Sequence, residues 1–238
     1  MLPYIHQDTP FPPVNKALAE PNGLLAIGGD LSASRLISAY SQGIFPWFSE
    51  DEPLMWWSPD PRTVFLIDRF KVKKSVKKTL RENDLKLTLN HAFDEVILNC
   101  SLPRSKENGT WITDEMIEAY TNLHRLNRAH SVEVWLENDL VGGIYGVNVG
   151  GVFCGESMFS RISNGSKIAL SSLILYLRTH GFELIDCQVE NPHLVSLGAL
   201  NISRELYIQM LESNQCKTFS KSIWVPKKLD FNHLLTSK

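Results

Sequence analysis

The chain has only four cysteines, and they are not arranged to act together. Cys100, Cys154, Cys187 and Cys216 lie far apart, with no CxxC pair and no Cys/His ligand spacing. That spacing argues against a zinc site or a disulfide framework and reads as reduced thiols in a cytoplasmic protein. Long hydrophobic runs are also missing. The most apolar stretch, SSLILYLRTHG (171–181), falls well short of the roughly 18 residues that span a membrane. The N-terminal MLPYIHQDTPFPP lacks the basic-then-apolar pattern of a secretory signal. Neither charge sign dominates: 24 Lys+Arg stand against 26 Asp+Glu, a net charge of −2. This excludes a wholly basic nucleic-acid binder but leaves local patches open. There is no Gly-rich Walker loop and no Ser/His/Asp or Cys/His order, and the seven histidines are scattered. No metal is expected.

What is present is an ordinary globular composition, 43% hydrophobic and 21% charged over 238 residues, enough for one or two domains. Six of the twelve prolines fall in the first 46 residues, and PNGLLAIGGDLS is turn-rich. A helix is predicted over 32–42, with Ser32 as N-cap and Gly43 as its stop. The first part reads as a small, irregular domain, 1–62. The remainder, 63–238, is more regular. Strands are predicted at TVFLI (63–67) and KLTLN, a basic helix at 70–83 and another helix at HAFDEVILNCS. Thr113 caps a further helix that carries Asp114 and Glu115 in its first turn. Three strands follow, SVEVWLE, LVGGIYGV and GVFCGESMF, then a helix over 167–180. A strand through Asp186, a short helix near 192–197, a helix from Ser203 and a final strand near SIWVP complete the pattern. The order is α+β with a mixed sheet flanked by helices, similar to the acetyltransferase-like (GNAT-like) fold.

The segment GFELIDCQVENPH (181–193) places a carboxylate, Asp186, inside an apolar strand. Alternation puts Asp186 and Gln188 side by side on one face and Ile185, Cys187 and Val189 on the other. An unpaired buried carboxylate is costly, so this face is either a site or solvated at a sheet edge. In GVFCGESMFSR, alternation sets Glu156 and Met158 opposite Phe153 unless a bulge at Gly155 resets the register. The helix over 70–83 carries Lys71, Lys73, Lys74, Lys77, Lys78 and Arg81, with Val72, Val76 and Leu80 as its buried edge. Such a face is either simply solvated or a phosphate-backbone contact. Its concentration in an acidic chain favours the second. Trp47, Trp56, Trp57 and Trp111 fall in loop-like stretches, where aromatics either stack on bases or fill a domain joint. Trp111, just before a helix cap, fits stacking best.

Many stretches in one order then carry a resemblance. They are FPPVNKALAEPNGLLAIGGDLS, RLISAYSQGIFPW, WWSPDPR, TWIT, AHSVEVW, LVGGIYGV, FCGESMFSR, LIDCQVEN, HLVSLGA and the late WVP, from residue 11 to residue 226. The chain resembles the bacterial leucyl/phenylalanyl-tRNA–protein transferases. The resemblance implies transfer of leucine or phenylalanine, and less readily methionine, from aminoacyl-tRNA to proteins with N-terminal arginine or lysine. The products are marked for N-degron proteolysis in the cytoplasm. It implies an acetyltransferase-like catalytic domain, with no cofactor, no metal and no membrane partner. Asp186 and Gln188 become the catalytic pair, Gln188 holding the attacking amine and Asp186 orienting it or holding the acceptor's charge. Glu156 holds an amino group near the carbonyl. Trp111, Tyr40 and Trp47 contact the terminal adenosine, and Asn191 joins the substrate-binding set. Ile144, Phe153, Met158, Ser160, Leu170 and Ile185 line the side-chain pocket, where one methyl group is worth only about 1–3 kcal/mol of discrimination. The basic helix grips the tRNA acceptor stem. A coenzyme A–dependent acetyltransferase shares the fold but needs a pyrophosphate loop, and RISNGSK stands where that loop belongs. A cell-wall aminoacyltransferase differs in acceptor and lacks these motifs. A non-catalytic RNA binder gives no reason for Asp186 and Gln188.

Overall fold

The computed structural model describes residues 2–103 and 112–236. Within the first 57 residues lie β1 (Tyr4–Ile5), β2 (Leu24–Gly28), α1 (Ala33–Ser41), β3 (Phe45–Pro46) and β4 (Met55–Trp57). They build a four-stranded sheet in the order β1-β2-β4-β3. The turn-rich PNGLLAIGGDLS therefore holds a strand, β2, because Leu24, Leu25 and Ala26 are buried and tertiary packing overrides the local turn signal.

The rest of the chain supplies β5 (Arg62–Leu66), α2 (Lys74–Glu82), β6 (Leu85–Leu89), α3 (Phe93–Ser101) and α4 (Asp114–Arg125). Three long strands follow, β7 (Ala129–Leu136), β8 (Asp139–Val149) and β9 (Val152–Ser160). Then come α5 (Gly165–Thr179), β10 (Leu184–Asp186), α6 (Pro192–Leu197), β11 (Leu200–Ile202), α7 (Arg204–Gln215), β12 (Lys227–Leu229) and α8 (Asn232–Thr236). The eight-stranded sheet runs β11-β5-β10-β9-β8-β7-β6-β12. Its β9–β10 pair is parallel, with α5 as the crossover, while the other pairs are antiparallel. The fold is thus α+β with mixed strand pairing flanked by helices.

Two apolar layers cover the large sheet. Val132, Val134, Ile144, Phe153 and Ile185 pack toward α5 and α2. Tyr145, Val147, Cys154 and Leu184 pack toward α3 and α4, and this second layer continues into Leu25, Leu36, Tyr40 and Trp56 of the small sheet and α1. Strand β8 approaches the start of α5 closely: a Cβ on Gly142 would lie 2.7 Å from the Gly165 carbonyl carbon, so only glycine fits there.

Among the described residues, four of the eight α-helices start on side-chain caps. Ser32, Thr113, Asn191 and Ser203 each accept a backbone N–H of the first turn, at 3.3, 3.3, 2.9 and 3.2 Å, each worth about 1 kcal/mol. Helix α2 has no such cap and no acidic residue in its first turn. Its lysines meet the positive end of the helix dipole, and it begins at Lys74 rather than at 70. The strand expected near SIWVP is instead a 3-10 turn, Lys221–Trp224. Pro226 cannot donate to a ladder, and β12 starts immediately after it.

Candidate active site

Strand β10 lies between β5 and β9, so both its edges are paired. Asp186 ends it and is fully buried. Its carboxylate is met by the Arg62 fork: Nε donates to Oδ1 and Nη2 to Oδ2, both at 2.7 Å. The Tyr207 hydroxyl donates to Oδ2 at 3.0 Å, and the Gln188 backbone N–H donates to Oδ1 at 3.0 Å. Burial works against the Arg62 charge, but Asp186 and Tyr207 more than offset it and hold the guanidinium above its ordinary pKa. Asp186 is therefore neither unpaired nor at a solvated edge.

The expected side-by-side placement of Asp186 and Gln188 on one strand face is corrected. The strand stops at Asp186, and Gln188 takes a left-handed conformation with φ +57°. A Val189 N–H···O=C Cys187 bond of 2.7 Å closes a tight turn around it. Alternation ends where the ladder ends, so the Asp186 side chain goes into the core. The Gln188 side chain instead reaches Glu156, its Nε2 donating to Oε1 at 3.5 Å.

Glu156 is there because of a bulge. Strand β9 pairs Ser157 with Tyr145 and Gly155 with Gly146, leaving Glu156 as the extra residue. The register reset separates Glu156 from Met158, which alternation had placed together. Met158 packs with Phe153 on the α5 side, while Glu156 turns toward α4. There its Oε2 accepts the Tyr120 hydroxyl at 3.1 Å, and Tyr40 hydrogen-bonds to Tyr120 in turn. Burial raises the Glu156 pKa to about 7, and Asp186 adds to the rise. The Tyr40 and Tyr120 hydrogen bonds and the Arg62 charge oppose it. Burial likewise lifts both tyrosines well above the ordinary phenol range.

Two cavities flank this arrangement. One, of about 300 Å³, is lined by Phe45, Pro46, Trp47, Glu156 and the segment 187–191. It brings together Glu156, Gln188, Asn191 and Trp47, and Trp47 is 45% exposed. The other, of about 560 Å³, is lined by Met158, Ser160, Arg161 and His193 among others. Ile144, Phe153, Leu170 and Ile185 are buried together with Met158 packed against them. Tyr40 is 1% exposed, so its expected contact with the terminal adenosine is corrected: it acts from inside the core, on Tyr120 and on Glu156. Trp56 is buried with its Nε1 on Gly28 O, and Trp57 donates to Trp47 O, so both brace the small sheet. Trp111 lies outside the described residues. Lys71, Lys73, Lys74, Lys78 and Arg81 are exposed on and before α2, with Lys77 half-buried. Asn164, just before α5, donates to Thr79 Oγ1 of α2 at 2.9 Å, so the basic helix sits beside the start of α5. Among the described residues, no group of three His, Cys, Asp or Glu side chains could hold a metal ion.

The sequence reading missed Arg62, Tyr120 and Tyr207. Arg62 stands within WWSPDPR, beside a predicted strand, and a buried carboxylate opposite it was the available signal. Neither Tyr120, one residue of an amphipathic helix, nor Tyr207 carries a local signal.

The model of a family described as leucyl/phenylalanyl-tRNA protein transferase matches residues 64–212, and that of its N-terminal domain matches 29–60. A leucyl/phenylalanyl-tRNA–protein transferase from Idiomarina loihiensis is 53% identical over 219 residues, 92% of this chain and 93% of the relative. One from Yersinia enterocolitica is 51% identical over 226 residues, 95% of each. Among solved structures, the crystal structure of FemX is 13% identical with a TM-score of 0.46, covering 89% of this chain and 83% of that one.

Proposed function

The chain belongs to the leucyl/phenylalanyl-tRNA–protein transferase family and is an aminoacyltransferase; from that premise we propose that it moves leucine or phenylalanine, and less readily methionine, to proteins with N-terminal arginine or lysine. The products are then directed to N-degron proteolysis in the cytoplasm. The observation that carries the reading is Gln188, held in a left-handed turn by Asp186 and placed beside Glu156 in a cavity walled by Trp47.

The ester of a charged tRNA is already activated, so the enzyme has to orient an amine against a carbonyl and handle one proton. The α-amine nitrogen of the acceptor forms the C–N bond, the ester C–O bond breaks, and the proton leaves toward the ribose oxygen, directly or through water. Gln188 Nε2 is directed at Glu156, which leaves Oε1 as the acceptor that orients the incoming amine. An amide is a very poor base, so Gln188 positions rather than deprotonates. Asp186 has no exposed surface and its charge is met by Arg62, so its part is to fix Gln188. Ionised Glu156 holds the amino group of the transferred residue. That residue's side chain sits against Met158 and Ser160, in front of Ile144, Phe153, Leu170 and Ile185. Asn191 lines the acceptor cavity, and Trp47 and Trp111 flank the terminal adenosine. The exposed lysines of α2, with Lys71, Lys73 and Arg81, take the acceptor-stem phosphates regardless of sequence.

The reaction so written calls for neither metal nor coenzyme. We further propose two units, 1–62 and 63–238, the second GNAT-like, supported by the β9–α5–β10 parallel crossover in an otherwise antiparallel sheet.

The test is transfer of radiolabelled leucine from charged tRNA to a peptide with N-terminal arginine, against one with N-terminal alanine. Label on the arginine peptide alone supports the reading. Retained tRNA binding without transfer to either peptide overturns it.

A further inference from the structure

Asp186 accepts four hydrogen bonds, and three of them come from residues that touch neither cavity: two from Arg62 and one from Tyr207. Arg62 also has a donor left over. Its Nη1 reaches Gly43 O at 3.0 Å. Gly43 closes α1 in a left-handed conformation, φ +74°, and the chain then runs straight into Phe45, Pro46 and Trp47. Those three residues form one wall of the 300 Å³ cavity, and residues 187–191 form the opposite wall. The guanidinium lies 4.9 Å from the Phe45 ring and 4.5 Å from the Tyr207 ring. One buried cation thus binds the carboxylate under Gln188 and the turn that carries Trp47.

Gln188 needs such a device. A non-glycine residue at positive φ is strained and persists only where its surroundings hold it. Its N–H is held by Asp186 Oδ1 at 3.0 Å and its carbonyl accepts from Thr63 N–H at 3.1 Å. Thr63 directly follows Arg62 in β5. Both restraints on the turn therefore originate from neighbouring residues of one strand.

We propose that Arg62, assisted by Tyr207, is the positioning residue of the transfer reaction: it fixes Asp186 so that Gln188 is held in its turn, and it fixes Gly43 so that the Trp47 wall stands opposite. This rests on the reading of Gln188 given above. Lysine cannot replace it, because a point ammonium cannot serve both carboxylate oxygens and the Gly43 carbonyl in the planar geometry of the fork.

The experiment is a double-mutant cycle on the full chain, read as the single-turnover transfer rate at saturating charged tRNA. The variants are Tyr207→Phe, Arg62→Lys, Gln188→Ala and the two doubles with Gln188→Ala. Thermal unfolding and tRNA affinity are measured on each. Tyr207→Phe loses one hydroxyl donor and keeps the ring, so it folds even if Arg62→Lys does not. It slows the step by about tenfold, the worth of one bond to a charged group. Arg62→Lys slows it by up to about a hundredfold, as expected for a misplacement near 1 Å. Arg62→Lys also weakens charged-tRNA binding, whereas Tyr207→Phe does not, because only Arg62 donates to the Gly43 carbonyl ahead of the Trp47 wall. In the Gln188→Ala background both effects on the rate vanish. Effects of Tyr207→Phe that multiply with those of Gln188→Ala, or a Tyr207→Phe rate equal to wild type while Gln188→Ala is slow, overturn the inference and leave the reading of the site standing. A Gln188→Ala variant as fast as wild type overturns both.

Discussion

The Tyr120 hydroxyl donates to Glu156 Oε2 at 3.1 Å, joining α4 to the bulge of β9. That bond favours the ionised carboxylate and opposes the burial that lifts Glu156 to about 7. Tyr120→Phe removes it and moves the Glu156 pKa higher still. A smaller fraction is then charged at pH 7. The transfer rate of Tyr120→Phe is expected to fall at pH 7 and to recover toward pH 9. A pH–rate profile of single-turnover transfer checks this. An acid limb in the same place as wild type would show that Glu156 does not act as a carboxylate.

Glu156 also links stability to pH. Its folded pKa, about 7, lies above the free value of 4.5. The fold therefore favours the protonated form: the contribution is intact below pH 4.5 and is lost as pH rises through 7. Glu156→Gln carries no charge at any pH. It is expected to match wild type near pH 4.5 and to be more stable above pH 8 by up to about 3 kcal/mol. Urea unfolding at both pH values measures the difference. Equal stability at pH 8.5 would contradict it. The same variant is expected to transfer poorly, so here stability and activity move in opposite directions.

The Arg62–Asp186 pair is fully buried. Asp186→Ala leaves a guanidinium in the core with its Gly43 contact and no counter-charge. Removing one partner of such a pair costs about 3–5 kcal/mol. Asp186→Asn keeps the shape and part of the acceptor capacity, so it is expected to cost less. Chemical denaturation ranks the two. If Asp186→Ala is as stable as wild type, the buried pair is not what holds β5 to β10 at this point.

Lys74 and Lys78 lie one turn apart on the exposed side of α2, and Lys78 pairs only loosely with Glu82, at 3.7 Å with both side chains exposed. That exposed pair contributes little to stability. Replacing both lysines with alanine is expected to leave the melting temperature nearly unchanged. It weakens tRNA binding and lowers the slope of log K against log salt by about one to two. Filter binding at several salt concentrations gives the slope, and an unchanged slope removes α2 from the tRNA surface.

Local signals determined much of this protein. Caps at Ser32, Thr113, Asn191 and Ser203 mark helix starts because a side-chain oxygen one turn from an orphan N–H is a purely local fit. The three long strands β7, β8 and β9 are legible because alternation and turn residues agree over many positions. Asp186 in an apolar run pointed either to a site or to a solvated sheet edge, and its complete burial decides against the edge.

What answers that carboxylate was decided only in three dimensions. Arg62 lies 124 residues away from Asp186 in sequence, and nothing within either segment specifies the other. The bulge at Glu156 follows from pairing β9 with β8, not from any preference of Glu156 itself. The left-handed turn at Gln188 runs against local preference and is imposed by Asp186 and Thr63. Sequence patterns report the period of an element and the chemistry of its ends. Register, strand termination and the partner of a buried charge depend on which distant segments pack together, and those tertiary contacts place Gln188, Glu156 and Trp47 around one cavity.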